Sequence, residues 1–231
     1  MIIILDANNI CHIAKHTIKD LSYKGEDVGI IFGFLRQIFY LSNKFKTDKF
    51  IFAWDSGKSF RKSIYPEYKA KRRERLEGES IDEKRAFKQF FIIRKEVLPA
   101  IGFKNNFILT GYEADDIIGS IIKNNSSIEF LIVSTDSDLY QLLSSHVRIY
   151  NSRKKEIYTS LDFFKEWEIL PHRWIEIKAI SGCNSDGIEG IKGVGEKTAC
   201  KYLKGGLNKK SKIFSVLNTE ESKAIIERNK K

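Results

Sequence analysis

The sequence predicts an α/β fold built on a central, mostly parallel sheet flanked by helices. Three observations carry that expectation. First, short unalternating runs of β-branched and aromatic residues end in aspartate: Ile2-Ile3-Ile4-Leu5 at Asp6, and Phe50-Ile51-Phe52-Ala53-Trp54 at Asp55. Phe130-Leu131-Ile132-Val133 leads through Ser134-Thr135 to Asp136 and Asp138. Such runs read as strands buried on both faces. Second, apolar residues recur at helical steps between them, in Ile30-Ile31-Phe34-Leu35-Ile38 and in Phe87-Phe90-Phe91-Arg94-Leu98, the latter with one polar break. Third, strands that alternate with helices pair in parallel, and 231 residues suffice for one large α/β domain or two small ones.

Composition narrows the function classes. Hydrophobic residues make up 42% and charged residues 30%, which is not the balance of a disordered chain. No apolar run is long enough for a transmembrane helix. Met1–Leu5 is too short, and lacks the basic flank, for a signal peptide. Cys11, Cys183 and Cys200 show no CxxC spacing, which argues against a disulfide framework or zinc site and fits a reducing cytoplasm. The net charge of +10 points to a polyanionic partner. The charge is unevenly spread. Lys58 to Arg75 carries eight basic residues against Glu67 and Glu74, threaded by Phe60, Tyr65 and Tyr68. Lys192 to Lys231 carries eleven basic residues against four acidic ones. Basic segments interleaved with rings suit nucleic acid, where phosphates meet Lys and Arg and bases stack. A plain solvated face is the alternative for either segment.

In a parallel sheet the ligand crevice lies beyond the carboxyl ends of the strands. Asp6, Asp55, Asp136 and Asp138 are therefore expected on one rim. Gly111-Tyr112-Glu113-Ala114-Asp115-Asp116 adds three carboxylates where an apolar helix opens. Helix capping accounts for one or two of these, less readily for three. Gathered carboxylates must be balanced by Lys and Arg or by divalent cations. Oxygen donors with no His–Cys pattern favour Mg²⁺ or Mn²⁺, and paired ions of this kind serve phosphodiester hydrolysis. Acidic centre and basic flanks then fit a single activity on nucleic acid.

Seven of the 15 glycines fall between Gly182 and Gly206. Gly190 and Gly195 have P-loop spacing, but Glu196 stands where lysine must follow, and no apolar strand precedes them. Trp174 to Ile180 looks helical instead. A helix–hairpin–helix turn is the better reading: Gly193-Val194-Gly195 turns tightly, Ala199 allows close packing, and N–H groups at the next helix face a phosphate beside Lys197. Such a module grips a duplex backbone without reading sequence. His12, His16, His146 and His172 show no ligand spacing and are expected to be structural or at the surface. Trp54, Trp167 and Trp174 are expected to pack, and Cys11 and Cys200 to be small buried residues.

Taken in order, Ile4-Leu5-Asp6-Ala7-Asn8-Asn9, Trp54-Asp55, Phe60-Arg61, Tyr65 to Arg72, Gly111 to Asp116, Ser134 to Leu139, and Ser185-Asp186 with Gly190 to Ala199 resemble the 5′-nuclease family. That family comprises flap endonucleases, phage 5′→3′ exonucleases and the N-terminal nuclease domain of bacterial DNA polymerase I. The resemblance covers roughly residues 1 to 203. It implies a PIN-like domain over 1–160 with a helical arch around 62–95. A helical domain over 161–231 would follow, with a helix-three-turn-helix around 180–205.

The same resemblance implies roles. Asp6, Asp55, Glu113 and Asp115, supported by Asp116, would line a first metal site, and Asp136, Asp138 and Asp186 a second. Lys69 and Arg72 would act on the scissile phosphate at the arch base, with Asp115 and Asp136 the central catalytic carboxylates. DNA would meet Arg61, Tyr68, Lys69, Arg72, Lys178, Gly193, Val194, Gly195, Glu196, Lys197 and Thr198. Mg²⁺ (one or two ions, with Mn²⁺ as substitute) is the implied cofactor. A K⁺ ion would sit on main-chain carbonyls near Ile180, Ser181, Glu189, Ile191 and Val194. The implied partner is DNA with a 5′ single strand or flap beside duplex, RNA–DNA primers included, acted on by a monomer in a bacterial or phage-infected cytoplasm, away from membranes.

Two departures stand out. Gly182-Cys183-Asn184-Ser185-Asp186 puts Cys183 where the family carries a carboxylate, and a neutral thiol is a poor Mg²⁺ ligand. The chain also ends soon after the hairpin, in a charged tail from Glu220 with modest helical content. Two alternatives follow: a branched-DNA-binding protein that cuts poorly, and a PIN-type ribonuclease. The basic arch-like segment and the Gly193–Gly195 hairpin speak against the second.

Overall fold

The computed structural model describes residues 1–18, 20–70 and 81–230. They form two compact units, neither contiguous in sequence. The first comprises Met1–Phe60, Gly78–Thr135 and His146–Ile157; the second, Arg61–Glu77, Asp136–Ser145 and Tyr158–Lys231. Arg61–Glu77 and Asp136–Ser145 belong to the second unit, because each is fastened to its hairpin region. The Lys69 N–H donates to the Asp186 carbonyl at 2.7 Å, and Lys178 pairs with Asp138.

A six-stranded sheet organises the first unit. β1 (Ile2–Asp6) lies between β4 (Phe50–Trp54) and β6 (Phe130–Val133), parallel to both, with Ile4 opposite Ile51 and Ile132. β5 (Asn106–Ile108) adds in parallel beyond β4, and β7 (Val147–Asn151) beyond β6, with β8 (Glu156–Tyr158) outermost. A small hairpin of β2 (Ser22–Tyr23) and β3 (Glu26–Asp27) stands apart from it. The three strands expected from unalternating apolar runs are the three central ones. Ile3, Ile4, Leu5, Leu131, Ile132 and Val133 are fully buried, as strands covered on both faces must be. Chain order departs in opposite directions from β1, so its carboxyl end is a topological switch point.

Helices α1 (Ala7–Thr17) and α2 (Gly29–Phe45) pack against each other and the sheet. Ile30, Phe34 and Ile38 form the buried stripe of α2, as the periodicity predicts. The Phe34 ring lies 6.0 Å from that of Phe52 and 5.9 Å from that of Trp54. The next helix departs from its predicted stripe. α4 (Ile81–Ile92) runs through a π-helical turn, Ile93–Val97, into Leu98–Ala100. Ala86, Phe90, Ile93 and Leu98 are its buried positions, while Phe87 and Phe91 are exposed. Pro99 supplies the physical reason, since it has no N–H to donate. The Leu98 N–H donates to the Ile93 carbonyl, and the Asn106 side-chain amide takes over the Arg94 carbonyl at 2.6 Å. The Asn106 carbonyl oxygen in turn accepts from Trp54 Nε1–H at 2.6 Å, tying β5 to β4.

In the second unit a cluster of rings replaces the sheet. Trp174 is buried against Trp167 at 4.7 Å and Phe163 at 5.6 Å, with Tyr140 and Tyr158 alongside. The unit includes α3 (Arg61–Ile64), α6 (Ser160–Trp167), α7 (Trp174–Ser181), α8 (Glu196–Leu203), α9 (Lys212–Leu217) and α10 (Glu220–Asn229). Thr159 caps α6, its hydroxyl accepting from the Asp162 N–H. The expected charged tail is a regular helix, α10, packed on α7. Among the described residues no helix is long and apolar enough to cross a membrane.

Candidate metal centre and nucleic-acid interface

In the first unit, α5 (Ala114–Lys123) brings the fourth acidic group to the end of β4. The turn that permits this is Gly111, at φ +92°, where a Cβ would lie 2.3 Å from the Phe60 ring. Phe60 and Tyr112 meet edge to face at 5.3 Å. Asp55 Oδ1 then accepts from the Ala114 N–H at 2.7 Å, so one carboxylate joins a strand end to a helix start. Glu113 is 8% exposed. Its N–H donates to Asp116 Oδ2 at 2.9 Å, and the Asp116 N–H donates to Asp115 Oδ1 at 2.9 Å. The Glu113 side chain also accepts from the Asp116 N–H, so a capping box engages both Glu113 and Asp116, with one oxygen of Asp115 taken as well, as the helix dipole favours. Asp6 caps α1, accepting from the Asn9 N–H at 3.0 Å and from the Ser134 hydroxyl at 3.0 Å. These side chains are all oxygen donors, each engaged by the N–H and hydroxyl groups named above; among the described residues the ligand atoms that converge closely enough to hold a metal ion are those of the second unit.

The asparagines after Asp6 had a place in the motif but no role. Asn8 Oδ1 accepts from the Asp55 N–H at 3.1 Å. Asn9 donates to the Thr135 hydroxyl at 2.8 Å and accepts from the Thr135 N–H at 3.2 Å. They lace together the carboxyl ends of β1, β4 and β6. Cys11 is buried, and burial, then Asp6, pushes its thiol well above the usual range.

In the second unit Asp138, Cys183 and Asp186 converge, their ligand atoms all within 4.8 Å of one another. The sequence expectation placed Asp136 with Asp138 and Asp186 and treated Cys183 as a loss. Here Cys183 stands in the triplet, its Sγ 3.1 Å from Ser185 Oγ. Asp136 caps the following turn, accepting from the Asp138 N–H at 2.9 Å. Burial raises its pKa, opposed by that hydrogen bond and reinforced by Asp138 and Asp186. Two carboxylates and a thiol form a softer donor set than that of the first unit.

Lys178 and Glu196, expected among the DNA contacts, are engaged with each other. Lys178 Nζ lies 3.0 Å from Asp138 and 3.2 Å from Glu196. Burial alone would lower the pKa of this ammonium, but the two carboxylates outweigh it and hold it above its ordinary value. Tyr68 is also not an open stacking face. It is 4% exposed, with Arg61 5.8 Å and Lys69 5.0 Å from its ring centre. Lys69 itself has φ +54°. Gly187, at φ +74°, lets the Glu67 carbonyl approach to where a Cβ would stand 2.9 Å away. Arg72 lies outside the described residues.

The segment expected to form the hairpin turns at Gly193 and enters α8 at Gly195. Gly193 has φ +80°, Val194 is buried, and the Gly195 carbonyl accepts from the Thr198 and Ala199 N–H groups as α8 begins. Ala199 is fully buried. Lys197 follows at the first turn, where helix N–H groups lack intrahelical partners and favour anions.

Comparison with known proteins gives these features a context. The family model of the 5′-3′ exonuclease N-terminal, resolvase-like domain matches residues 1–168. A 5′-3′ exonuclease of Buchnera aphidicola is 33% identical over all of this chain and 78% of its own length. DNA polymerase I of Thermus aquaticus is 30% identical over 87% of this chain, which spans only 23% of that protein. A structure described as divalent metal ions (zinc) bound to T5 5′-exonuclease superposes with a TM-score of 0.81, at 26% identity. It covers 99% of this chain and 87% of the other. Flap endonuclease-1 of Methanococcus jannaschii shares the fold at a TM-score of 0.58 and 16% identity, covering 98% of this chain and 77% of its own. With the aspartate-ended parallel strands and the Gly111–Asp116 helix start in place, the chain belongs to the 5′-3′ exonuclease family.

Proposed function

We propose that this nuclease is a Mg²⁺-dependent, structure-specific 5′ nuclease that hydrolyses DNA phosphodiesters at 5′ ends and flaps. The observation that carries the reading is the carboxylate set of the first unit, fixed on a strand end and a helix start by the Asp55–Ala114 hydrogen bond. Asp6, Asp55, Glu113 and Asp115 would hold a divalent ion, with Asp116 fixing the backbone behind them. Asp138 and Asp186, with Asp136 nearby, would hold a second. Such ions, when bound, supply activated water and charge stabilisation at the phosphate. Lys69 and Arg72 would contribute cations to the scissile phosphate, with Arg61 and Tyr68 bracing Lys69. The α8 start and Lys197 would hold duplex phosphate. RNA–DNA primers, a monomeric state and a cytoplasmic setting accompany this reading.

Cys183 favours one second reading, a branched-DNA-binding protein that cuts slowly. Cleavage of a labelled 5′ flap tests both. Asp115→Ala should abolish cleavage in Mg²⁺ and leave flap binding in Ca²⁺ intact. Full cleavage by that variant would refute the metal assignment. Cleavage that is feeble in Mg²⁺ and restored by Cys183→Asp would favour the second reading.

A further inference from the structure

Helix α7 ends at Ser181, and the last carbonyls of any helix need donors from outside it. The Ile191 N–H serves the Ile180 carbonyl at 2.8 Å. The Ala179 carbonyl is served by a side chain. Asn229, the last residue of α10, donates through Nδ2 to the Ala179 carbonyl at 3.0 Å and to the Glu189 carbonyl at 2.8 Å. Arg228 Nε donates to Asn229 Oδ1 at 3.3 Å, which orients the amide with its NH₂ toward those carbonyls. One amide thus joins the end of α7 to the short strand Ile188–Glu189, which leads into the Gly193 turn.

The family resemblance assigns a K⁺ ion to the carbonyls of Ile180, Ser181, Glu189, Ile191 and Val194. Three of the five already accept N–H donors: Ile180 from Ile191, Ile191 from Val194 at 3.0 Å, and Glu189 from Asn229. Each carbonyl keeps a second lone pair, but the Asn229 NH₂ already spans the Ala179 and Glu189 carbonyls, so a cation bridging them would have to displace it. The Asn229 NH₂ supplies two donors, and its positive end faces the negative pole of α7, the position a cation would favour. We infer that Asn229 is a positioning residue that holds the hairpin in place of a monovalent cation, so that duplex binding by this chain is independent of K⁺. The duplex arm rests on the function proposed above; the stability arm does not.

The test compares the full chain in K⁺ and in choline at matched ionic strength. It reads the thermal midpoint, and duplex affinity in Ca²⁺. The unaltered chain should give the same midpoint and the same affinity in both salts. Asn229→Asp, isosteric but with an acceptor where the donor was, should bind duplex about fivefold more tightly in K⁺, a modest coupling between two ligands. Its midpoint should also rise with K⁺, and Asn229→Ala should respond in the same direction. An unaltered chain that loses stability and affinity in choline overturns the inference, and that comparison stands if the variants fail to fold. Folded variants indifferent to K⁺ overturn it too. An unaltered chain that binds no duplex in either salt would instead refute the proposed function, and the midpoints would still decide the cation question.

Discussion

Lys178 holds a place in the second unit that a divalent ion would contest. It sits 3.0 Å from Asp138, one of the three converging ligands, and 3.2 Å from Glu196. Lys178→Met keeps the aliphatic stem and removes the charge. Breaking a buried pair from one side costs about 3–5 kcal/mol, and an exposed pair about 0–1 kcal/mol. The three side chains are 21%, 34% and 39% exposed, so a loss of about 1–2 kcal/mol is expected in metal-free buffer. The same substitution frees Asp138 from its competitor. If that free energy is recovered on metal binding, affinity for Mn²⁺ should tighten about tenfold, the equivalent of about 1.4 kcal/mol. Urea unfolding in chelator measures the first effect, and Mn²⁺ titration followed by electron paramagnetic resonance the second. A variant as stable as the parent in chelator, or one that binds Mn²⁺ no more tightly, would refute the competition.

Gly111→Ala forces a side chain into left-handed backbone and onto the Phe60 ring. It should cost about 2 kcal/mol or more in urea unfolding, with partial recovery on adding Phe60→Ala. Asp136 has a pKa raised above its ordinary value by burial. Its stabilising protonated form is fully present below the unfolded-state pKa, and that contribution is lost as pH rises through the folded-state value. In chelator Asp136→Asn should therefore be more stable than the parent at neutral pH, with the advantage shrinking on acidification; an advantage that grows on acidification would reverse the assignment.

The sheet was legible because strands covered on both faces leave an unmistakable run of apolar residues, and β1, β4 and β6 are such strands. Asp6 and Asp55 were legible for the same reason, as the first polar residues after their runs, and Asp136 as the first carboxylate after Ser134-Thr135. The α4 stripe was misread because periodicity assumes a constant 3.6 residues per turn, and the π-helical turn before Pro99 adds one residue. The division of the chain was not legible from any linear boundary. Arg61–Glu77 and Asp136–Ser145 join the second unit through backbone and ion-pair contacts to distant residues. Tyr68, Lys178 and Glu196 show what composition leaves out: charge and aromaticity mark a capacity to bind, while burial and internal partners, invisible in the sequence, decide how much of it is turned inward. Asn229 gave no signal, since an asparagine near a helix end reads as ordinary capping.

The extra residue in Ile93–Val97 has a consequence for how this chain tolerates changes of length. A helix advances about 100° per residue, so an insertion normally turns everything beyond it away from the core. Here the surplus is confined to one widened turn, and Leu98 is buried along with Ala86, Phe90 and Ile93. Asn106 settles the surplus, because its amide answers for the Arg94 carbonyl, whose i+5 residue Pro99 has no N–H. Removing a single residue from that turn would release Asn106, and with it the clasp on Trp54. Helix length and the edge of the sheet are therefore inherited together: a deletion in one is felt as a loosened strand in the other.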